Sequence, residues 1–234
     1  MVLKQQSIWQ IQVKVNNSWM WKQLLKVRDT LISKFGNVYN LHNAINKCCS
    51  GGKIIISSIY KEIAQHSPKV QWSDTVWDSW NFPKHSFILW LVFHAKLLTQ
   101  DRLCHLGILE TNVCVLCSNQ SNENCQHLLF ECQYFVEVWN NMMNWLDYKW
   151  RSCRWESITD WYSNRLRGKG FMKKLKRLAL SATVYAIWTE RNLRIFQQKS
   201  RAPAVLFHNI KISILSKILN DNIPGYIKEE IVKL

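Results

Sequence analysis

Along this chain apolar side chains recur at helical spacing far more often than at alternate positions. Residues 19–32 follow that rhythm first, with Trp21, Leu24, Leu25, Leu31 and Ile32 on one stripe beside Arg28. Asn16, Asn17 or Ser18 offers the N-cap and Gly36 the stop. Residues 36–53 interrupt the rhythm and close on Ser50-Gly51-Gly52, which reads as a loop. Residues 54–60 fit a short strand or the opening of a helix, and residues 66–69 a linker. Ser73 is placed to cap a short helix that groups Trp72, Val76 and Trp77. Pro83 then opens a helix over 84–96 whose apolar run, 87–93, covers every face, and such a helix is expected to be buried. Thr99 caps the next helix, to 106. Asp101 sits in its first turn, where the helix dipole favours an acid, and Gly107 ends it.

Further on, one helix is expected over 126–146, with Leu128, Leu129, Phe135, Val138, Trp139, Met142, Met143 and Leu146 on its apolar face. After Asp147, Trp150, Trp155 and Trp161 stand in a stretch without periodicity, and Gly168 and Gly170 mark a flexible joint. A long helix starts at Phe171, with Leu175, Leu178, Ala182, Tyr185, Trp188 and Phe196 in a three–four rhythm. Pro203 opens a last helix through Leu219, which Pro224-Gly225 ends.

One interval carries chemistry. Cys114 and Cys117 are two residues apart, His127 follows after nine, and Cys132 after four more, a C-x2-C-x9-H-x4-C run. Two cysteines at that spacing can put both sulfurs on one zinc ion from a tight knuckle. Three Cys and one His complete its tetrahedron and leave no position for water, so the site reads as structural, one zinc per chain. Cys125, two residues before His127, competes with it and would give a four-cysteine site; spacing alone leaves that choice open. Cys104 and His105 fall on the 99–106 helix and read as packing residues. Cys48, Cys49 and Cys153 have no partner at ligand spacing and read as free thiols, and His94 as a boundary histidine. The expected fold is mainly α: a helical domain with the zinc knuckle packed between helices, followed by long C-terminal helices.

These residues also carry a resemblance. Residues 72–139 contain a tryptophan pair at Trp72 and Trp77, Pro83-Lys84 with Trp90, and the series Leu97, Thr99, Asp101, Arg102 and Leu103. The two knuckle cysteines, then Glu123, His127-Leu128, Cys132 and Val138-Trp139 complete the pattern. The stretch resembles the zinc-binding domain of plant reverse transcriptases, which in non-LTR retrotransposons (the LINE type) follows the polymerase. Upstream, S-W-M-W-K-Q-L-L-K-V-R-D at 18–29 is similar to the family's leading segment. Downstream, I-W-T-E-R-N-L-R-I-F at 187–196 is similar to the segment that precedes ribonuclease H in longer relatives. The resemblance implies His127, not Cys125, as the fourth ligand, and a helix after 54–60 capped by Ser57 or Ser58. It implies three regions: 1–65, a remnant of the upstream connector; 66–147, the zinc-binding domain; and 148–234, a basic helical region.

Charge adds a partner. The net charge is +15 over 234 residues, a balance that favours nucleic acid. Arg165, Arg167, Lys169, Lys173, Lys174, Lys176 and Arg177 form a run without an acid, suited to phosphates of RNA or DNA; Arg191, Arg194, Lys199 and Arg201 extend it. The resemblance implies a second class of partner, the polymerase or ribonuclease H domains of related elements, or a retroelement remnant without selected function. No pair of adjacent aspartates, P-loop, H-E-x-x-H or G-x-S-x-G is present, so no catalysis and no small-molecule substrate are expected. The opening residues lack a secretory apolar core and no run reaches membrane length, which points to an intracellular protein, nuclear or cytoplasmic, and away from a membrane.

Overall fold

The structure, a computed structural model, describes residues 7–64, 68–148, 154–166, 168 and 170–220. His66, Trp150, Cys153, Arg167, Lys169 and Pro224-Gly225 therefore lie outside the described residues. The chain divides into two compact units between Pro68 and Lys69.

The first unit holds α1 (Trp19–Phe35), α2 (Val38–Lys47), the strands β1 (Cys49–Ser50) and β2 (Lys53–Ile54), and α3 (Ile56–Ile63). Ser18 caps α1 by accepting from the amide of Trp21, and Gly36 ends it at a φ of 82°. Residues 38–47, expected to be turn-rich, are helical instead. Asn37 caps α2 through the amide of Asn40, 2.8 Å away, and buried Leu41 and Ala44 hold its inner face. The expected loop at Ser50-Gly51-Gly52 is the tip of a hairpin. Both glycines have positive φ, 57° and 73°, which a two-residue turn matched to strand twist requires. Ser57 and Ser58 lie inside α3 rather than capping it; its N-cap is Ile55, with no side-chain hydrogen bond.

The second unit is built on α9 (Phe171–Gln197), against which α5 (Pro83–Phe93), α7 (Gln133–Trp145) and α10 (Pro203–Asn220) pack. Residues 177–184 of α9 are all buried, so about two turns of this helix are enclosed on every side. Ala179, Ser181 and Ala182 keep its surface low enough for three helices to approach. The enclosing side chains include Leu89 and Val92 of α5, Phe135, Trp139 and Met142 of α7, and Ile210, Ile214 and Ile218 of α10. Each such side chain taken fully out of water stabilises the fold by about 1.5–3 kcal/mol. Described residues on both sides of the boundary expected at 147/148 thus share a common core.

Three expectations change here. The helix at 84–96 ends at Phe93, and it is not buried all round, because Phe87 is 53 % exposed. Ser73 is the first residue of α4 (Ser73–Val76) rather than its cap. The stretch after residue 153 is helical, as α8 (Trp155–Asp160) running into a π-turn at Trp161–Arg165.

Buried polar groups orient the short segment between α4 and α5. Asn81 donates to the carbonyls of Thr75 and Val76 and accepts from the Ser181 hydroxyl of α9. Asp78 meets Arg177 at 2.9 Å, both side chains nearly inaccessible. His85 is buried and stacks on Tyr185, ring centroids 4.3 Å apart. Burial, with the charge of Lys84, pushes its pKa down to about 4. The unfolded chain then binds a proton between about pH 6.5 and 4 that the folded chain refuses, so stability falls as pH drops through that window. Urea midpoints at pH 7 and pH 5 should fall further for the parent chain than for His85→Gln.

Candidate metal centre

A β-like loop carries the first two candidate ligands. Val113 and Asn122 form an antiparallel bridge, and the amide of Cys114 donates to Ser121 at 2.8 Å, so the knuckle at 114–117 is the tip of a tied loop. Asn124 then opens the next helical turn by accepting from the amide of His127 at 2.7 Å.

The helix expected over 126–146 is two pieces. Residues His127–Glu131 form a π-turn, Cys132 is extended at φ −63°, ψ 126°, and α7 begins at Gln133. The reason is ligand geometry. On an α-helix, residues five apart diverge by about 140° around the axis. In a π-turn, residues five apart are bonded to each other and nearly in line. The amide of Cys132 donates to the carbonyl of His127 at 2.7 Å, and both side chains face the knuckle.

Cys114, Cys117, His127 and Cys132 come together, with one ligand atom from each lying within 4.8 Å of the others. The Cys114 and Cys132 sulfurs are 3.9 Å apart, and the Cys117 sulfur is 3.5 Å from Nε2 of His127. A zinc tetrahedron has S···S edges of about 3.8 Å and S···N edges of about 3.5 Å. Donor set and spacing therefore fit zinc. Only Cys117 is more than slightly accessible. Hydrogen bonding from Cys132 is the main force that pushes Cys114 down to about 4, while the amides of Leu116 and Cys117 assist. The hydrogen bond shared with Cys114, and then burial, push the Cys132 thiol up. Metal binding must take the proton held between them.

Among the described residues, the other cysteines and histidines stand apart from this cluster. Cys125 is half-buried, with its thiol pushed up to about 11 by burial and then by Asp101. His105 bonds to the carbonyl of Asp101 on α6 (Gln100–His105), and His94 is exposed beside Trp72 and Trp90. Cys48 is buried and Cys49 exposed in the first unit.

A layer of charge supports the cluster, and the sequence reading did not assign it. Glu123, fully buried, accepts from Nε and Nη2 of Arg191 on α9, the closest contact 2.8 Å. The same carboxylate accepts from the amide of Gln100 at 2.9 Å. Thr99 holds the N-cap position of α6 as expected, but its hydroxyl donates to Asp101, and Glu123 takes the first-turn amide of Gln100 in its place. Arg194 donates to the carbonyls of Val115 and Leu116, gripping the knuckle between its two cysteines. Glu190, also buried, holds Arg194 and Arg201. The signal was present in E-R-N at 190–192 and in Glu123, both part of the quoted pattern. Pairing a glutamate with an arginine 68 positions away needs the fold.

The basic run is therefore smaller than its composition. Arg177, expected among the nucleic-acid-binding residues, is buried against Asp78 and the carbonyls of Leu166 and Gly168, which takes it out of the solvent-facing part of the run. Arg191 is removed likewise, and Arg194 and Arg201 are spent on Glu190. Lys176 lies 4.0 Å above the Tyr148 ring, and burial pushes its pKa down. Lys174 lies over Trp80, while Arg165, Lys173 and Lys199 are exposed.

No helix among the described residues is long and apolar enough to cross a membrane. No curated protein and no solved structure matches the chain. Residues 55–139, which contain all four clustered side chains, match the family described as zinc-binding in reverse transcriptase.

Proposed function

We propose that this chain is a structural, non-catalytic zinc module of a reverse-transcriptase-type protein, with one zinc on Cys114, Cys117, His127 and Cys132, and that it contacts nucleic acid. The closed three-cysteine, one-histidine cluster carries the reading, because four protein donors leave zinc no position for a reacting water. Zinc there supplies a crosslink between the knuckle and the π-turn. The buried acids support it too: Glu123, Glu190 and Asp78 are each committed to an arginine. Thiolate ligands suit a reducing compartment, in keeping with a nuclear or cytoplasmic protein.

Nucleic-acid contact rests on the +15 net charge and on the cations left after the buried pairs are set aside. Within the run Arg165 and Lys173 are exposed and Lys174 is half-buried, so each can reach a phosphate. Three such contacts give a plot of log K against log salt a slope of about −2 for single strands and about −3 for duplex. Replacing Lys173 and Lys174 by Gln should flatten the single-strand slope by about 1.4 with zinc content unchanged. Affinity indifferent to salt would leave the lysines as a solvated face. It would favour the second reading, docking of polymerase or ribonuclease H domains, for which exposed Trp19, Met20, Leu24 and Val27 of α1 speak.

A further inference from the structure

At the N-terminal end of α5, three lysines from three helices each sit over an aromatic ring. Lys174 of α9 lies over Trp80 at 5.2 Å, Lys217 of α10 over Phe82 at 4.9 Å, and Lys84 of α5 over Tyr185 at 5.0 Å. Phe82, His85 and Tyr185 form one series of touching rings, and Trp80, two residues before Phe82, meets Phe171. A lysine held over a ring face loses less freedom on meeting an anion than one moving freely in water.

This surface runs into a cleft of about 210 Å³ between α5, α9 and α10. Ala182, Leu206 and Ile210 give it apolar walls, Asn209 and Ser213 hydrogen-bonding groups, and Lys84 and Tyr185 belong to both cleft and lysine surface. None of the residues lining it is acidic. Asn209, Ser213 and Lys217 follow one stripe of α10, which carries the surface from the cleft toward Phe82.

We infer that this surface is a track for single-stranded nucleic acid, with phosphates on Lys174, Lys217 and Lys84 and an unpaired base in the cleft beside Tyr185. Aromatic and aliphatic walls suit a base face, and the amide of Asn209 and the hydroxyl of Ser213 suit its polar edge. A base in a duplex has both faces stacked and cannot enter, so the cleft selects the single strand. Arg201 lines the cleft but is held by Glu190, so the lysines supply the charge.

The inference rests on the nucleic-acid reading above, and its test separates the two. Fluorescence anisotropy of labelled oligo(dT), oligo(U) and an oligo(dA)·oligo(dT) duplex is measured over a salt series with the full, zinc-loaded chain. Lys84→Gln with Lys217→Gln should weaken oligo(dT) about tenfold and flatten its salt slope by about 1.4, two contacts' worth. Ala186→Leu, which narrows the cleft, should weaken both single strands while keeping the slope. Lys96→Gln, beyond the other end of α5, serves as the charge control. Circular dichroism and zinc content should be the same for all variants. If the parent chain binds oligo(dT) and the double variant binds it equally well, nucleic-acid contact stands and this track does not. A parent chain that prefers the duplex also overturns the track. A parent chain that binds none of the three overturns both.

Discussion

His127→Ala should lose zinc at chelator concentrations that leave the parent chain loaded, and it should unfold at lower temperature, whereas Cys125→Ser should keep both its zinc and its midpoint. The contrast follows from position. His127 turns Nε2 toward the Cys117 sulfur at 3.5 Å, while Cys125 stands outside the cluster and close to Asp101. Removing one of four donors opens the tetrahedron to water. In isolated finger peptides zinc contributes about 10–16 kcal/mol of apparent binding energy, which there amounts to the whole of folding. The loss here is smaller than that, because α5, α7, α9 and α10 bury a core of their own. It is not confined to the knuckle, however. Leu116, Leu128 and Leu129 belong to that same core, and Arg194 ties the knuckle backbone to α9. Hydrogen exchange after chelation should therefore show deprotection of residues 112–135 first, then of the α9 turn carrying Arg191 and Arg194. Native mass spectrometry gives the stoichiometry, expected at one zinc per chain. A Cys125→Ser chain that loses zinc more readily than His127→Ala would replace the histidine by a fourth cysteine.

The second large effect is expected at Glu123. Glu123→Leu alone should destabilise the chain by about 3–5 kcal/mol, because it strands the Arg191 guanidinium in a place with almost no access to water. About 1 kcal/mol of that is the lost cap on α6, whose Gln100 amide donates to the same carboxylate. Arg191→Met alone should cost a comparable amount by leaving a buried carboxylate with only Gln100 for company. The double variant Glu123→Leu with Arg191→Met should recover most of the loss, since a buried ion pair and a well-packed apolar pair of similar volume differ little in net stability. A double-mutant cycle from urea denaturation gives the coupling directly. If the two single losses simply add, the charges are not energetically linked and the contact is incidental to stability. Zinc affinity should fall in both single variants, since Glu123 lies in the loop between Cys117 and His127 and leads directly into Asn124, which caps the turn bearing His127.

Much of the secondary structure was legible because its cause is local. Ser18 and Gly36 bound α1 by cap chemistry that needs no distant partner, and the spacing of Leu175, Leu178 and Ala182 marks α9 whatever it packs against. Helix α2 was missed because its sequence, rich in asparagine, has weak propensity; Asn37 as cap and a shared apolar face stabilise it. Helix α8 and the π-turn after it were missed for a related reason, as three widely spaced tryptophans show no period until Phe93 and Phe130 supply rings for Trp155.

The candidate metal cluster was legible in part. Cys114, Cys117 and Cys132 stand at spacings that suit a metal, but spacing left Cys125 and His127 open as the fourth member, and only the resemblance pointed to His127. Their arrangement was not legible: a regular α-helix turns His127 and Cys132 apart, and only the π-turn, ended by the extended Cys132, aims both at one point. Charge divides the same way. Composition determined that the chain is basic, a sum that no conformation alters. Which cations remain available was decided by tertiary structure alone, because an arginine is removed from solvent only when folding brings a carboxylate to it. Arg177 found Asp78 and Arg191 found Glu123, while Lys84, Lys174 and Lys217 came to lie over aromatic rings.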